Sequence, residues 1–313
     1  MMQEADCSSL PVYRGVISDS ERWHRFKFRE NDVIITTPSK CGTTWMQSIV
    51  ATLVFRGSDL ETPVGSISLW LDALLRSEEE ANAILEAQNH RRFLKTHCPL
   101  NGVPRVPGVT YITVVRHPLD VALSNYDHNQ NQCRDRTVEL LESSGHGIGN
   151  VGINDFNSPP KDRTEYLLWW IDNDCECDGA GPYGLADFCL QVQTYWEART
   201  DPNVHLFHYS NLWNNLDGEM RRIADILKVE VDEECWTEWV DSVTLAAMKD
   251  RAHKTAPESH LGLWKSSSQF FAKGGKRDWD RLLTDEDLKR FEARLEHLVG
   301  RDASDWILTG RQI

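Results

Sequence analysis

A β-branched run, Asp32-Val33-Ile34-Ile35-Thr36-Thr37, passes directly into Pro38-Ser39-Lys40-Cys41-Gly42-Thr43-Thr44-Trp45, and an apolar-periodic stretch then runs from Met46 to Phe55. Strand, tight glycine-containing loop and helix, in that order, constrain the fold because together they build an anion site. The loop N–H groups and the helix N-terminus converge on one spot, and Lys40 adds a full positive charge. Thr43 and Thr44 stand in the first turn, where their hydroxyls reach the same oxygens. This is a phosphate-binding loop of an uncommon kind. The common P-loop places its lysine after the last glycine, followed by a Ser or Thr that holds magnesium. Here Lys40 precedes Gly42, so the cation enters from another side and no metal-holding position stands out.

Further β-type runs lie at Arg92–Lys95, Thr110–Val115 and Val204–Tyr209, with the first taken as Val33–Thr37; helical patterns at Ser77–Gln88 and Pro118–His128 fall between them. Strands alternating with helices predict an α/β fold with a central parallel, doubly wound sheet flanked by helices. The chain is long enough for one large domain, 1–313, and no linker, repeat or low-complexity block divides it. Ligands of such sheets bind outside the carboxyl ends of the strands. Polar residues stand at those ends: Lys40 after the first run, Lys95 and His97 after the second, Arg116 after the third, His208 and Tyr209 after the fourth. The carboxyl edge is therefore the expected site.

Composition narrows the function. A net charge of −14 disfavours general nucleic-acid binding, which needs a basic field. An anionic ligand would need a local positive island, which Lys40, Lys95, Arg116 and Lys273 can form. The first ten residues lack the basic-then-apolar pattern of a signal peptide, and the apolar runs are too short to cross a bilayer. A soluble, cytoplasmic enzyme without a membrane partner is expected. The 8 cysteines lack secreted-scaffold density, which points to reduced thiols. Cys175-Glu176-Cys177 lacks the two-residue gap of a zinc knuckle, so no metal site is assigned.

Lys40-Cys41-Gly42-Thr43-Thr44-Trp45 resembles the 5′-phosphosulfate loop of the soluble sulfotransferases that use 3′-phosphoadenosine 5′-phosphosulfate (PAPS), where a serine usually holds the place of Cys41. Three more segments follow in that family's order, so the resemblance runs from about Val33 to about Trp279. Lys95-Thr96-His97-Cys98-Pro99 resembles the segment carrying the catalytic base; a near-neutral imidazole suits removal of an acceptor proton. Arg116-His117-Pro118 through Ser124 resembles the 3′-phosphate motif, in which the arginine and the serine eight positions on hold that phosphate. Phe270 through Trp279 resembles the C-terminal segment that closes over the cosubstrate. That copy departs from the pattern: Ala272 replaces an arginine, so the usual guanidinium contact to the 3′-phosphate is lost there, and Arg277 replaces a glycine; Lys273 and Gly274 are carried over, and Arg277 is left open as a substitute for the lost contact.

The resemblance implies PAPS as cosubstrate, bound by Lys40, Cys41, Gly42, Thr43, Thr44, Trp45, Arg116, Ser124, Tyr209, Lys273 and Gly274, with no metal required. It implies His97 as general base, with Lys40 and Lys95 stabilising charge as the acceptor attacks sulfur in line. Trp45 and Tyr209 match the family's adenine contacts, against a reading of Trp45 as a helix-core residue. Cys41 has two readings: an oxidation-sensitive thiol favoured as thiolate by the helix N-terminus, and, preferred, a small residue whose backbone N–H does the binding. The acceptor is a small-molecule hydroxyl or amine, and 12 tryptophans suggest aromatic walls for it. Two other functions are weighed against this one. An ATP-dependent kinase is opposed by the misplaced lysine, and a non-catalytic nucleotide-binding protein by the presence of a base.

Other segments are set aside or read structurally. Gly147-Ile148-Gly149-Asn150-Val151-Gly152 spells a dinucleotide fingerprint but lacks the strand before and the helix after. Residues 143–180 are expected to form a mobile loop region covering the acceptor. The acidic run 172–178 is read as a solvated loop, with selection of a cationic acceptor as the sharper alternative. The stretch matching the family's C-terminal dimer motif begins at Asp280, has Asp285 in place of valine and ends at Lys289, so that dimer mode is not expected.

Overall fold

The computed structural model describes residues 9–57, 62–146, 159–174, 184–271, 275 and 278–311. Four strands, β1 (Val33–Thr36), β2 (Phe93–Thr96), β3 (Thr110–Val115) and β4 (Val204–His208), form one parallel sheet in the order β2-β1-β3-β4. Thr36 pairs with Thr96 across β1 and β2, Ile35 with Ile112 across β1 and β3, and Val115 with His208 across β3 and β4. The expected strands are present, displaced by a residue at some ends. The doubly wound, helix-flanked parallel sheet matches the sequence reading.

The strands read as continuous apolar runs because helices cover both faces of the sheet. Side chains alternate: Val33 and Ile35 join a core with the helices Thr43–Phe55 and Leu216–Leu227, while Ile34 packs with Trp23, Leu94 and Tyr111 on the opposite side. A third cluster covers the β3–β4 side, built from the helices Pro118–Asn131, Arg163–Asp172, Leu185–Glu197, Asp285–Val299 and Arg301–Thr309.

Strand order decides where the site forms. From β1 the chain goes to one side to make β2, then crosses to the other side to make β3. The loops after β1 and β3 thus diverge and leave a crevice at the switch point. Lys40 and Arg116 sit on those two loops.

Several expectations for the periphery resolve differently from the core. Asp172 and Asp174 are not a free acidic patch: they pair with Arg290 and Arg294 of the Asp285–Val299 helix, Arg290 at 2.6 Å. That tie, rather than recruitment of a cationic acceptor, accounts for these two charges. Residues 175–178 of the run and the Gly147–Gly152 segment lie outside the described residues, as do 147–158 and 175–180 of the expected 143–180 loop region, whose described part is not all loop: Arg163–Asp172 is a helix, its N-terminus capped by Asp162. The Asp280–Lys289 stretch runs into a helix opened by a capping box between Thr284 and Asp287. No helix among the described residues is long and apolar enough to cross a membrane.

Candidate active site

The loop after β1 turns through two left-handed residues, Lys40 at φ 65° and Gly42 at φ 106°. Gly42 is the N-cap of the Thr43–Phe55 helix, and no side chain caps that end. First-turn N–H groups are therefore left for an outside acceptor. A Cβ on Gly42 would lie 3.0 Å from Tyr209 Cδ2, so glycine is needed for space as well as for backbone conformation. Thr43 is buried and shares a short hydrogen bond with Thr37 at the end of β1, which fixes the first turn against the strand. Cys41 is fully buried, and burial pushes its thiol up to about 12 despite nearby Arg116 and Lys40. The thiolate reading of Cys41 is overturned: desolvation outweighs the helix dipole.

Arg116 follows β3 and is almost fully buried. Its Nη2 donates to the Gly275 carbonyl at 2.7 Å, its guanidinium lies 4.2 Å from the centre of the Tyr209 ring, and Asp120 stands 3.7 Å from Nε. Nε itself has no hydrogen-bond partner among the described residues. A buried arginine with an unspent donor is fitted for an anion. The Pro118–Asn131 helix begins beside it, also without a side-chain cap, and carries Ser124. Trp279 reaches the same element, donating to Asp120 at 2.8 Å and stacking on His117 at 4.8 Å. Gly275 and Trp279 thus dock the C-terminal segment on Arg116 and its helix. Lys273 and Gly274, expected to bind the cosubstrate from that segment, lie outside the described residues, as do Ala272 and Arg277.

Trp45 and Tyr209 meet edge to face at 5.3 Å, and the Trp45 indole N–H donates to the Val243 carbonyl at 2.8 Å. Trp45 is 4% exposed and belongs to the core, so burial and proximity to the site coexist in one residue. His208 turns away from the site: its Nε2 is 3.0 Å from the Ile307 carbonyl and its Nδ1 2.6 Å from Ser210 Oγ.

His97 follows β2, half-buried. Nδ1 lies 2.9 Å from the Thr37 carbonyl. A carbonyl only accepts, so Nδ1 carries the proton and Nε2 keeps its lone pair. Burial, with Lys95 and Lys40 nearby, pulls the His97 pKa down to about 3, against the opposing Thr37 bond. The ring is a neutral base at physiological pH. Lys95 is buried and paired with Glu258, 3.0 Å from Oε1, and sits over the Trp70 ring at 5.1 Å. Its charge is therefore offset within the protein, which the sequence reading did not foresee. Lys40 extends towards the Pro118–Asn131 helix, with Nζ 3.0 Å from His128 Nδ1 and 4.2 Å from the centre of the Phe270 ring.

Beside these polar groups lies an aromatic and aliphatic wall. Trp70 meets His97 at 5.0 Å, Trp264 meets His128 at 4.9 Å, and Phe270 meets Trp264 at 5.3 Å. Ala73, Leu75, Leu140 and Leu263 back the tryptophans. Among these residues, His128 had a signal in the sequence, since it stands four positions after Ser124 on one helix face. Glu258 had none, because 163 residues separate it from Lys95.

A family model described as "Sulfotransferase domain" matches residues 30–302. A glycolipid sulfotransferase of Mycobacterium bovis is 35% identical, covering 100% of this chain and 98% of that protein. Sulfotransferase 1B1 of Mus musculus is 25% identical over 90% of this chain and 87% of its own. Among solved structures, a mouse sulfotransferase complexed with PAP aligns with a TM-score of 0.66 at 18% identity, covering 92% of each chain. Retinol dehydratase in complex with androsterone and inactive cofactor PAP aligns at 0.64 and 19% identity, covering 94% of this chain and 92% of its own. The chain belongs to the sulfotransferase family. It is a PAPS-dependent sulfotransferase, so the kinase and the non-catalytic nucleotide-binding readings give way.

Proposed function

We propose that this enzyme transfers the sulfonyl group of PAPS to a hydroxyl of a lipophilic acceptor, with His97 as general base and residues 1–313 acting as one cytoplasmic catalytic unit. The observation that carries the assignment of the base is the fixed tautomer of His97. Thr37 occupies Nδ1, which leaves Nε2 with its lone pair, and burial, with Lys95 and Lys40 nearby, keeps the ring unprotonated. The Lys40–Trp45 loop would hold the 5′ phosphosulfate. Arg116 and Ser124 would hold the 3′-phosphate, and Trp45 and Tyr209 would flank the adenine.

PAPS supplies an activated sulfonyl group, and the chain's own residues supply position and charge. His97 Nε2 takes the acceptor's proton as its oxygen attacks sulfur in line. Lys40 donates to the bridging oxygen on which charge builds, the role a metal shares in phosphoryl transfer. Lys95 contributes less than Lys40, because Glu258 already offsets its charge. On this reading turnover needs no added metal and survives a chelator.

The lipophilic acceptor is supported by the wall of Trp70, Trp264 and Phe270 against the two histidines, and by likeness to an enzyme named for glycolipids. The test combines turnover with binding. Wild type is assayed with labelled PAPS against simple phenols, free sugars and glycolipids, and His97→Ala is assayed beside it. Loss of turnover with PAP affinity retained by calorimetry is expected. Retained turnover in His97→Ala would remove His97 as base, and exclusive use of free sugars would remove the lipophilic acceptor.

A further inference from the structure

His128 lies one turn beyond Ser124 on the Pro118–Asn131 helix and is half-buried, packed against Trp264 and Phe270. With Lys40, Ser124, Asp127, Asn131, Gln269 and Phe270 it lines a narrow cleft open to solvent. Lys40 Nζ is 3.0 Å from its Nδ1. A lysine ammonium has donors and no acceptor, so Nδ1 accepts and the ring proton stands on Nε2, 3.2 Å from the end of the Gln132 side-chain amide, which then turns its oxygen to accept it. An imidazolium, with both nitrogens protonated, cannot make this bond. The bond thus exists in one protonation state and one tautomer.

We propose that His128 is a positioning residue for Lys40: its neutral ring holds the ammonium extended between the nucleotide loop and the acceptor cleft, ready to transfer its hydrogen bond to the oxygen that leaves sulfur. This rests on the sulfonyl-transfer reading, in which Lys40 stabilises the leaving oxygen. Three observations support it. Lys40 has a left-handed backbone at φ 65°, so its side chain leaves the loop in a direction an ordinary turn would not give. Phe270 packs under Nζ at 4.2 Å and limits its other positions. The surroundings of His128 also suit a neutral ring: desolvation first, then the charges of Lys40 from the loop after β1 and Lys95 from β2, disfavour a proton, and His97 beside them is itself neutral. Asp127 of its own helix is the acidic group on the same cleft.

The role is transient by design. A neutral acceptor binds an ammonium less strongly than a carboxylate does, so the bond from Lys40 to His128 yields readily to a developing anion. Lys95, held by Glu258, lacks that freedom. The two lysines are thus divided between a mobile donor and a fixed charge.

The test uses the full-length enzyme with His128→Phe, which keeps an aromatic ring but no acceptor, and His128→Gln, which restores an acceptor oxygen. His128→Phe should lower kcat by about 10-fold, the scale for a misplaced catalytic group, with acceptor KM within about twofold. His128→Gln should recover most of kcat. In a Lys40→Met background, His128→Phe should cost nothing further, because its effect passes through the lysine. Nitrogen NMR of the wild-type resting enzyme should show an unprotonated Nδ1 and a protonated Nε2 on His128. Wild-type kcat in His128→Phe, an equal loss in the Lys40→Met background, or a protonated Nδ1 would each overturn the proposal. The NMR result requires no turnover and no variant that folds. Failure of wild type to transfer sulfonyl from PAPS would instead strike at the reading beneath it.

Discussion

Glu258→Gln separates the charge of Glu258 from its shape. Glu258 has a left-handed backbone at φ 46°, and glutamine meets the same backbone cost, so the substitution leaves strain unchanged. Lys95 Nζ lies 3.0 Å and 3.1 Å from the two carboxylate oxygens, with the side chains 4% and 7% exposed. Removing one partner of a buried pair costs about 3–5 kcal/mol, and the amide oxygen of glutamine returns about 1 kcal/mol as a hydrogen bond. A net loss of about 2–4 kcal/mol follows, or roughly 3–6 °C in Tm for a domain of this size. The lost charge should reappear in ligand binding. PAP is strongly anionic, and a lysine freed of its carboxylate gains more from it than one already paired. The rise in Tm on adding PAP should therefore be larger in Glu258→Gln than in wild type, measured by calorimetry at equal saturation. An unchanged Tm would show that the pair contributes nothing. A lowered Tm with an equal or smaller PAP shift would show that Lys95 does not face the donor, and Lys95 would leave the catalytic set.

Gly42→Ala should cost about 2 kcal/mol in stability and weaken PAP binding, because alanine resists positive φ and its Cβ meets Tyr209 at 3.0 Å; unchanged affinity by calorimetry would place the nucleotide elsewhere. Arg116→Lys should weaken PAP by about 10–100-fold while leaving ADP nearly unaffected, since lysine cannot both hold the Gly275 carbonyl and grip a phosphate; equal losses for both nucleotides would remove Arg116 from the 3′-phosphate. Stability should fall as pH drops from about 6.5 towards about 3, because the unfolded chain takes up protons that His97 refuses when folded. His128 acts in the same direction. Tm at pH 7.5 and pH 5 in wild type and His97→Gln checks this, and an equal pH slope in both would contradict it. (These pH values are about one unit to either side of the ordinary histidine pKa.)

Local order was sufficient for much of the fold and part of the site. Val33–Thr36 followed by a loop and an uncapped helix could be read directly, because strand, turn and helix preferences act over a few residues. Lys40, His97 and Arg116 were legible for the same reason: each follows a strand, and in a parallel sheet those ends share one edge. For Cys41 the thiolate stood as an alternative because a helix N-terminus is a local feature, whereas the full burial that removes it is not. The paired state of Lys95 was invisible, since its partner Glu258 arrives from a segment 163 residues away. Asp172 and Asp174 are exposed, as the sequence reading had them, but their partners Arg290 and Arg294 could not be read from it.

Sequence alone thus determined which chemical groups this protein carries and which edge of the sheet they occupy. Spacing and periodicity act through neighbours along the chain. Tertiary structure alone decided their states: His97 is a neutral base with its proton fixed on Nδ1, Lys95 is a compensated charge, and Lys40 is held by a histidine. Protonation and pairing depend on desolvation and on charges within a few ångströms, and those distances are set by packing between segments remote in the chain.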